Sequence, residues 1–124
     1  MPLSIHILRR HAAFALLAAA ASTAVYASEV KDSMKEMARA YKAAMASQTM
    51  PEFADSFKKV QDSAKRIAGM QWKENQPLFN EGQQKLQKQL DAVAVQVSAN
   101  NLAGAKDELA KTDPIKKEYH KKLD

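Results

Sequence analysis

The sequence predicts an all-α protein, an antiparallel up-down-up-down four-helix bundle. Three observations point to it. The chain beyond the first 27 residues is rich in the good helix formers Ala, Lys, Gln, Glu and Met. Its apolar residues recur at three- and four-residue steps, with no strand-like alternation. The breaks between these runs are short, which favours antiparallel neighbours in a bundle.

Residues 1–27 are set apart from that pattern. "MPLSIHILRR" carries two arginines and no acid, "HAAFALLAAAASTA" is a short apolar run, and "VYA" ends on small residues. These are the parts of a secretory signal peptide, with cleavage expected after Ala27. The run is too short for a good membrane span. The expected domain is therefore residues 28–124, exported to the periplasm.

Removal of residues 1–27 takes Arg9 and Arg10 and no acid, leaving 17 basic against 14 acidic side chains, a net +3. The charges are mixed along the chain, so no nucleic-acid footprint is expected. His6 and His11 also depart, and His120 becomes the one histidine of the mature chain, which has no cysteine. Disulfides, thiolate metal sites and the covalent C-x-x-C-H attachment of a c-type haem are excluded.

The first helix is predicted over about 29–47, with Val30, Met34, Met37, Tyr41 and Met45 on one face, flanked by Ala38 and Ala44. "SQTMPE" breaks it, and Thr49 with Glu52 forms a capping-box pattern around Pro51. The second helix is predicted over 51–69, with Phe53, Phe57, Val60, Ala64 and Ile67 inward. After "AGMQWKENQP" the third begins near Pro77 and carries Phe79, Gly82, Leu86, Leu90, Val93 and Val97. Asn100 or Asn101 caps the fourth, over 102–123, with Leu102, Ala105, Leu109, Thr112, Lys116, Tyr119 and Leu123 near one stripe. Pro114 inside it is expected to kink it or interrupt a hydrogen bond.

In this topology the start of the first helix, the loop after the second and the end of the fourth share one end of the bundle. Met34 and His120 are then expected at similar depth on adjacent helices, with Met70, Trp72 and Phe79 nearby. A thioether and an imidazole together can ligate low-spin haem iron on its two sides, and this ligation raises the reduction potential. Phe79 offers a face for the porphyrin, Gly82 room for the ring, and Lys116 a cation for a propionate. Taken singly, each has a plainer reading: a solvated helix-end histidine, a core methionine, a packing glycine, a core phenylalanine and a surface lysine.

The chain resembles the soluble periplasmic cytochrome b562 family. "ASEVKDSMKEM" is similar to the family's opening, "LFNEG" to the start of its third helix, and "YHKKL" to its closing motif. The resemblance implies a four-helix bundle with one non-covalent b-type haem (haem b) per chain. It places the axial ligands at Met34 and His120, and the cofactor-lining residues at Phe79 and Gly82. It implies periplasmic electron transfer with an unidentified redox partner. A monomer is expected. The chain departs from the family at Lys116, where arginine is common, at Gln83, where an aromatic is expected, and in a shorter connection between the second and third helices.

Two other readings compete. Methionines 34, 37, 45, 50 and 70 with one histidine prompt a copper-binding bundle, since thioethers favour Cu(I). Gln83, Lys116 and the short connection prompt a haem-free helical binding or chaperone-like module. An acid–base enzyme is not expected, because Asp and Glu are scattered on solvated faces and no second histidine or cysteine accompanies His120.

Overall fold

The computed structural model describes residues 29–72 and 74–123. The expected signal peptide and its cleavage point at Ala27 lie outside the described residues. Helix α1 spans 29–46, α2 Met50–Ala68, α3 Gln76–Ser98, α4 Leu102–Ala110 and α5 Thr112–Leu123. The described residues contain no strand. Helices α4 and α5 together make the fourth rod of a four-helix bundle.

The starts of α2, α3 and α4 follow from their capping residues. Thr49 Oγ1 accepts from the Glu52 N–H at 3.4 Å, and Glu52 Oε2 accepts from the Gln48 N–H at 3.3 Å, which closes the α1–α2 corner. Asn75 Oδ1 accepts from the Leu78 N–H at 3.2 Å, and Asn101 Oδ1 from the Gly104 N–H at 3.0 Å. Asn100 takes φ of +53°, a left-handed conformation that asparagine tolerates. That turn lets the N–H groups of Asn100 and Asn101 reach back to the Val97 and Gln96 carbonyls, both at 3.0 Å.

The bundle is closed by the predicted apolar faces. Met37, Ala44, Phe53, Phe57, Val60, Ile67, Phe79, Leu86, Leu90, Val93, Ala105 and Leu109 form one buried cluster. Burial of each of the larger side chains stabilises by about 1.5–3 kcal/mol. The antiparallel sense of α3 against the fourth rod is visible in its cross-links: Gln89 meets Glu108, and Lys85, one turn earlier, meets Glu118 ten residues later. Glu36 of α1 pairs with Arg66 of α2 at 3.2 Å. These ion pairs are exposed and contribute at most about 1 kcal/mol each.

The fourth rod is not one helix. The interruption falls at Lys111, three residues before Pro114. Proline has no N–H to give the Ala110 carbonyl, and its ring crowds that oxygen. The turn before it therefore tightens, with the Lys111 N–H donating to Glu108 O at 3.2 Å. Two side chains satisfy carbonyls around the break. The buried Thr112 hydroxyl donates to Leu109 O at 2.7 Å, and Gln89 Nε2 reaches from α3 to Glu108 O, also at 2.7 Å.

Thr112→Val and Gln89→Leu should each lower stability by about 1 kcal/mol, because each removes a hydrogen bond to a carbonyl at the break. Urea unfolding of the two variants checks this. Unchanged midpoints in both would mean that the break needs neither side chain.

Candidate functional site

A cavity of about 520 Å³ opens at one end of the bundle, within the size range of cofactor sites. Met34, Met37 and Ala38 of α1 form one side of it. Phe79, Gly82, Gln83 and Leu86 of α3 form another, and Ile115, Lys116, Tyr119, His120 and Leu123 of α5 a third. Ile67 and Trp72, from α2 and the α2–α3 connection, and the charged Asp113 and Lys117 of α5 complete it. The antiparallel topology is what makes this possible, since it brings the first turns of α1 and the last turns of α5 to one level.

All five residues singled out from the sequence line this cavity: Met34, Phe79, Gly82, Lys116 and His120. Met34 is half-buried and packs against the core, and His120 is exposed on the cavity rim. The i to i+4 spacing of Lys116 and His120 puts both on the same face of α5. Met37 is also in the lining, while Met45 and Met50 pack against the core elsewhere.

Phe79 is only 2% exposed and stacks on Trp72, with ring centroids 5.4 Å apart and planes at 3°. The two rings make a flat aromatic wall. Trp72 is held there through its backbone N–H, which donates to Gln76 Oε1 at 2.6 Å. Its own indole Nε1 is buried and has no acceptor among the described residues. Such an orphan costs about 1–3 kcal/mol, a cost that an acceptor on a bound group would offset.

Lys116 lies with its Nζ 4.5 Å from the centroid of the Tyr41 ring, a cation–π contact between α5 and α1. Burial pulls its ammonium pKa below the usual lysine value, and Asp113 opposes that only in part. The Tyr41 hydroxyl is pushed up by burial and by Asp113, with Lys117 acting the other way. Lys116 is thus a partly buried cation at the cavity, held over the Tyr41 ring.

The sequence reading did not find three features. Trp72 forms half of the aromatic wall, although its position at this end of the bundle was legible. Tyr41 engages Lys116. Tyr119 occupies the space over Gly82: a Cβ there would come within 2.7 Å of Tyr119 Cγ. The room that Gly82 makes is therefore filled first by a tyrosine of α5. The place of Tyr119 on the predicted stripe of the fourth helix is the signal in the sequence that pointed to it.

These residues fit a flat, largely apolar group with an anionic or acceptor-bearing edge. The cavity is mainly apolar, one wall carries two parallel stacked rings, and its charged side chains are Lys116, Lys117 and Asp113, with the orphaned indole N–H of Trp72 buried in that wall. A thioether and an imidazole stand in the same lining. Haem meets each of these demands.

No helix among the described residues is long and apolar enough to cross a membrane. A search of curated proteins returns no match to this chain. A family model described as Cytochrome b562 matches residues 29–124, which is most of the sequence. The chain belongs to the cytochrome b562 family of haem-binding electron carriers, which hold haem b without a covalent link.

Proposed function

We propose that the protein is a periplasmic electron carrier holding one haem b between Met34 and His120. The observation that supports this most is the shared cavity of these two side chains, which lie at opposite ends of the described chain. The family is periplasmic, and the apolar, Arg-preceded segment at residues 1–27 has the form of an export signal.

Haem iron supplies a one-electron couple when bound. The chain's part would be to ligate the iron and to keep water from the ring. Met34 would offer its sulfur from α1 and His120 its imidazole from α5, a ligand pair suited to electron transfer. Phe79 and Trp72 give the flat face that excludes water. Lys116 provides positive charge for a propionate, as a point charge without the fork geometry of arginine. The exposure of His120 keeps the iron's ligand close to the surface, where a redox partner docks.

Hemin titration followed by absorption spectroscopy tests this reading. The wild type should give six-coordinate low-spin spectra at one haem per chain. His120→Ala should lose those bands and bind hemin at least about tenfold more weakly, which is about 1.4 kcal/mol. Met34→Ala should give a high-spin ferric form and a lower reduction potential, since thioether ligation favours the ferrous state. Retention of the wild-type spectrum in both variants would contradict the assignment.

A second outcome concerns the haem-free protein. Lys116 holds its proton less tightly in the folded chain than in the unfolded one, so its charged form opposes folding. Relative to Lys116→Met, wild-type stability should rise as pH climbs through the folded-state pKa towards the ordinary lysine value of 10.5. Urea unfolding of the two proteins across that range checks the sign. Parallel pH dependences would mean that Lys116 is fully solvated.

A further inference from the structure

We propose that Gly82 is a positioning residue for the axial histidine: it seats the Tyr119 ring, and that seat fixes the rotation and depth of α5 at His120. This inference rests on the haem ligation proposed above. A Cβ on residue 82 would lie 2.7 Å from Tyr119 Cγ, 2.8 Å from Cδ1 and 3.2 Å from Cδ2. The first two are closer than side chains pack, and the third is tighter than most. Cγ is the first ring atom, one bond beyond Cβ, so swinging the far end of the ring gives no relief; a buried ring must leave its rotamer or α5 itself must move. Tyr119 is 6% exposed, and Lys85 and Lys122 stand 5.9 and 5.0 Å from its ring centroid. His120 is the next residue, and a shift or rotation of α5 at Tyr119 carries the imidazole with it.

The alternative role for Gly82 is to make room for the macrocycle directly. The two roles differ in what happens when Tyr119 is shortened. If the glycine serves the tyrosine, the cost of Gly82→Ala disappears with the ring. If it serves the macrocycle, that cost is the same whatever stands at 119.

A double-mutant cycle of Gly82→Ala and Tyr119→Leu tests this, read by thermal unfolding without haem and by hemin titration with absorption spectra. Alanine in a helix interior ordinarily stabilises relative to glycine. Here Gly82→Ala should instead lower the apoprotein Tm by roughly 5–10 °C, because the contact is overpacked. In the Tyr119→Leu background the same change should raise the Tm or leave it unchanged. With hemin, Gly82→Ala should weaken binding roughly tenfold, as loss of a ligand's support typically does, and reduce the low-spin fraction. The double variant should bind as Tyr119→Leu does. Equal loss of hemin affinity in both backgrounds would overturn the proposal, as would no loss in either. If Gly82→Ala does not fold, a folded double variant supports the proposal and an unfolded one overturns it. A low-spin wild type without coupling overturns this inference alone. A wild type with no low-spin spectrum removes the haem reading and this inference together.

Discussion

The docking of α5 on α3 is the contact on which the cavity depends, because α5 carries His120, Lys116 and Tyr119 and has only 12 residues with which to hold them. A helix that short has little stability of its own. Its position is set at two levels. At the break, Gln89 and Thr112 satisfy carbonyls around Lys111 and thereby fix where α5 starts. One end further, Tyr119 drops onto the bare backbone of Gly82 and fixes how α5 is turned. Between these points Lys85 bridges to Glu118 at 3.3 Å, an exposed pair that adds little energy.

Much of this was legible in the sequence. The four rods, their inward faces and two of their caps follow from local rules: Thr49 with Glu52, and Asn101, cap where short polar side chains precede apolar periodicity, while the Asn75 cap was not read from the sequence. The shared end of α1 and α5 followed from topology alone, and the cavity at that end is lined by both. Less legible was the exact place of the break. Pro114 announced a disturbance, yet the interruption sits at Lys111, because the crowded carbonyl belongs to the residue four positions earlier in the chain. Long-range pairs were not legible. Nothing local marks Gln89 as a partner of Glu108, or Tyr41 as the ring beneath Lys116.

The site sets a partly buried cation and one orphaned donor beside an apolar lining. The Lys116 ammonium lies over Tyr41, and the Trp72 indole N–H is buried without an acceptor among the described residues. Buried polar groups in native proteins usually find partners. Such an orphan in the wall of a cavity that also holds a cation is an argument for a bound molecule that carries acceptors. The departures from the family pattern bear on this directly. With lysine at 116, charge remains but bidentate geometry does not, and with Gln83 at the cavity the aromatic wall is supplied by Trp72 on Phe79 from the short α2–α3 connection.

The central claim is that Met34 and His120 close the coordination of one iron. The most direct measurement is the pair of oxidised and dithionite-reduced absorption spectra of the wild-type protein with one equivalent of hemin. The account predicts low-spin six-coordinate bands in both states, with saturation at one haem per chain. A five-coordinate or high-spin spectrum in either state, or no saturable binding, would contradict it.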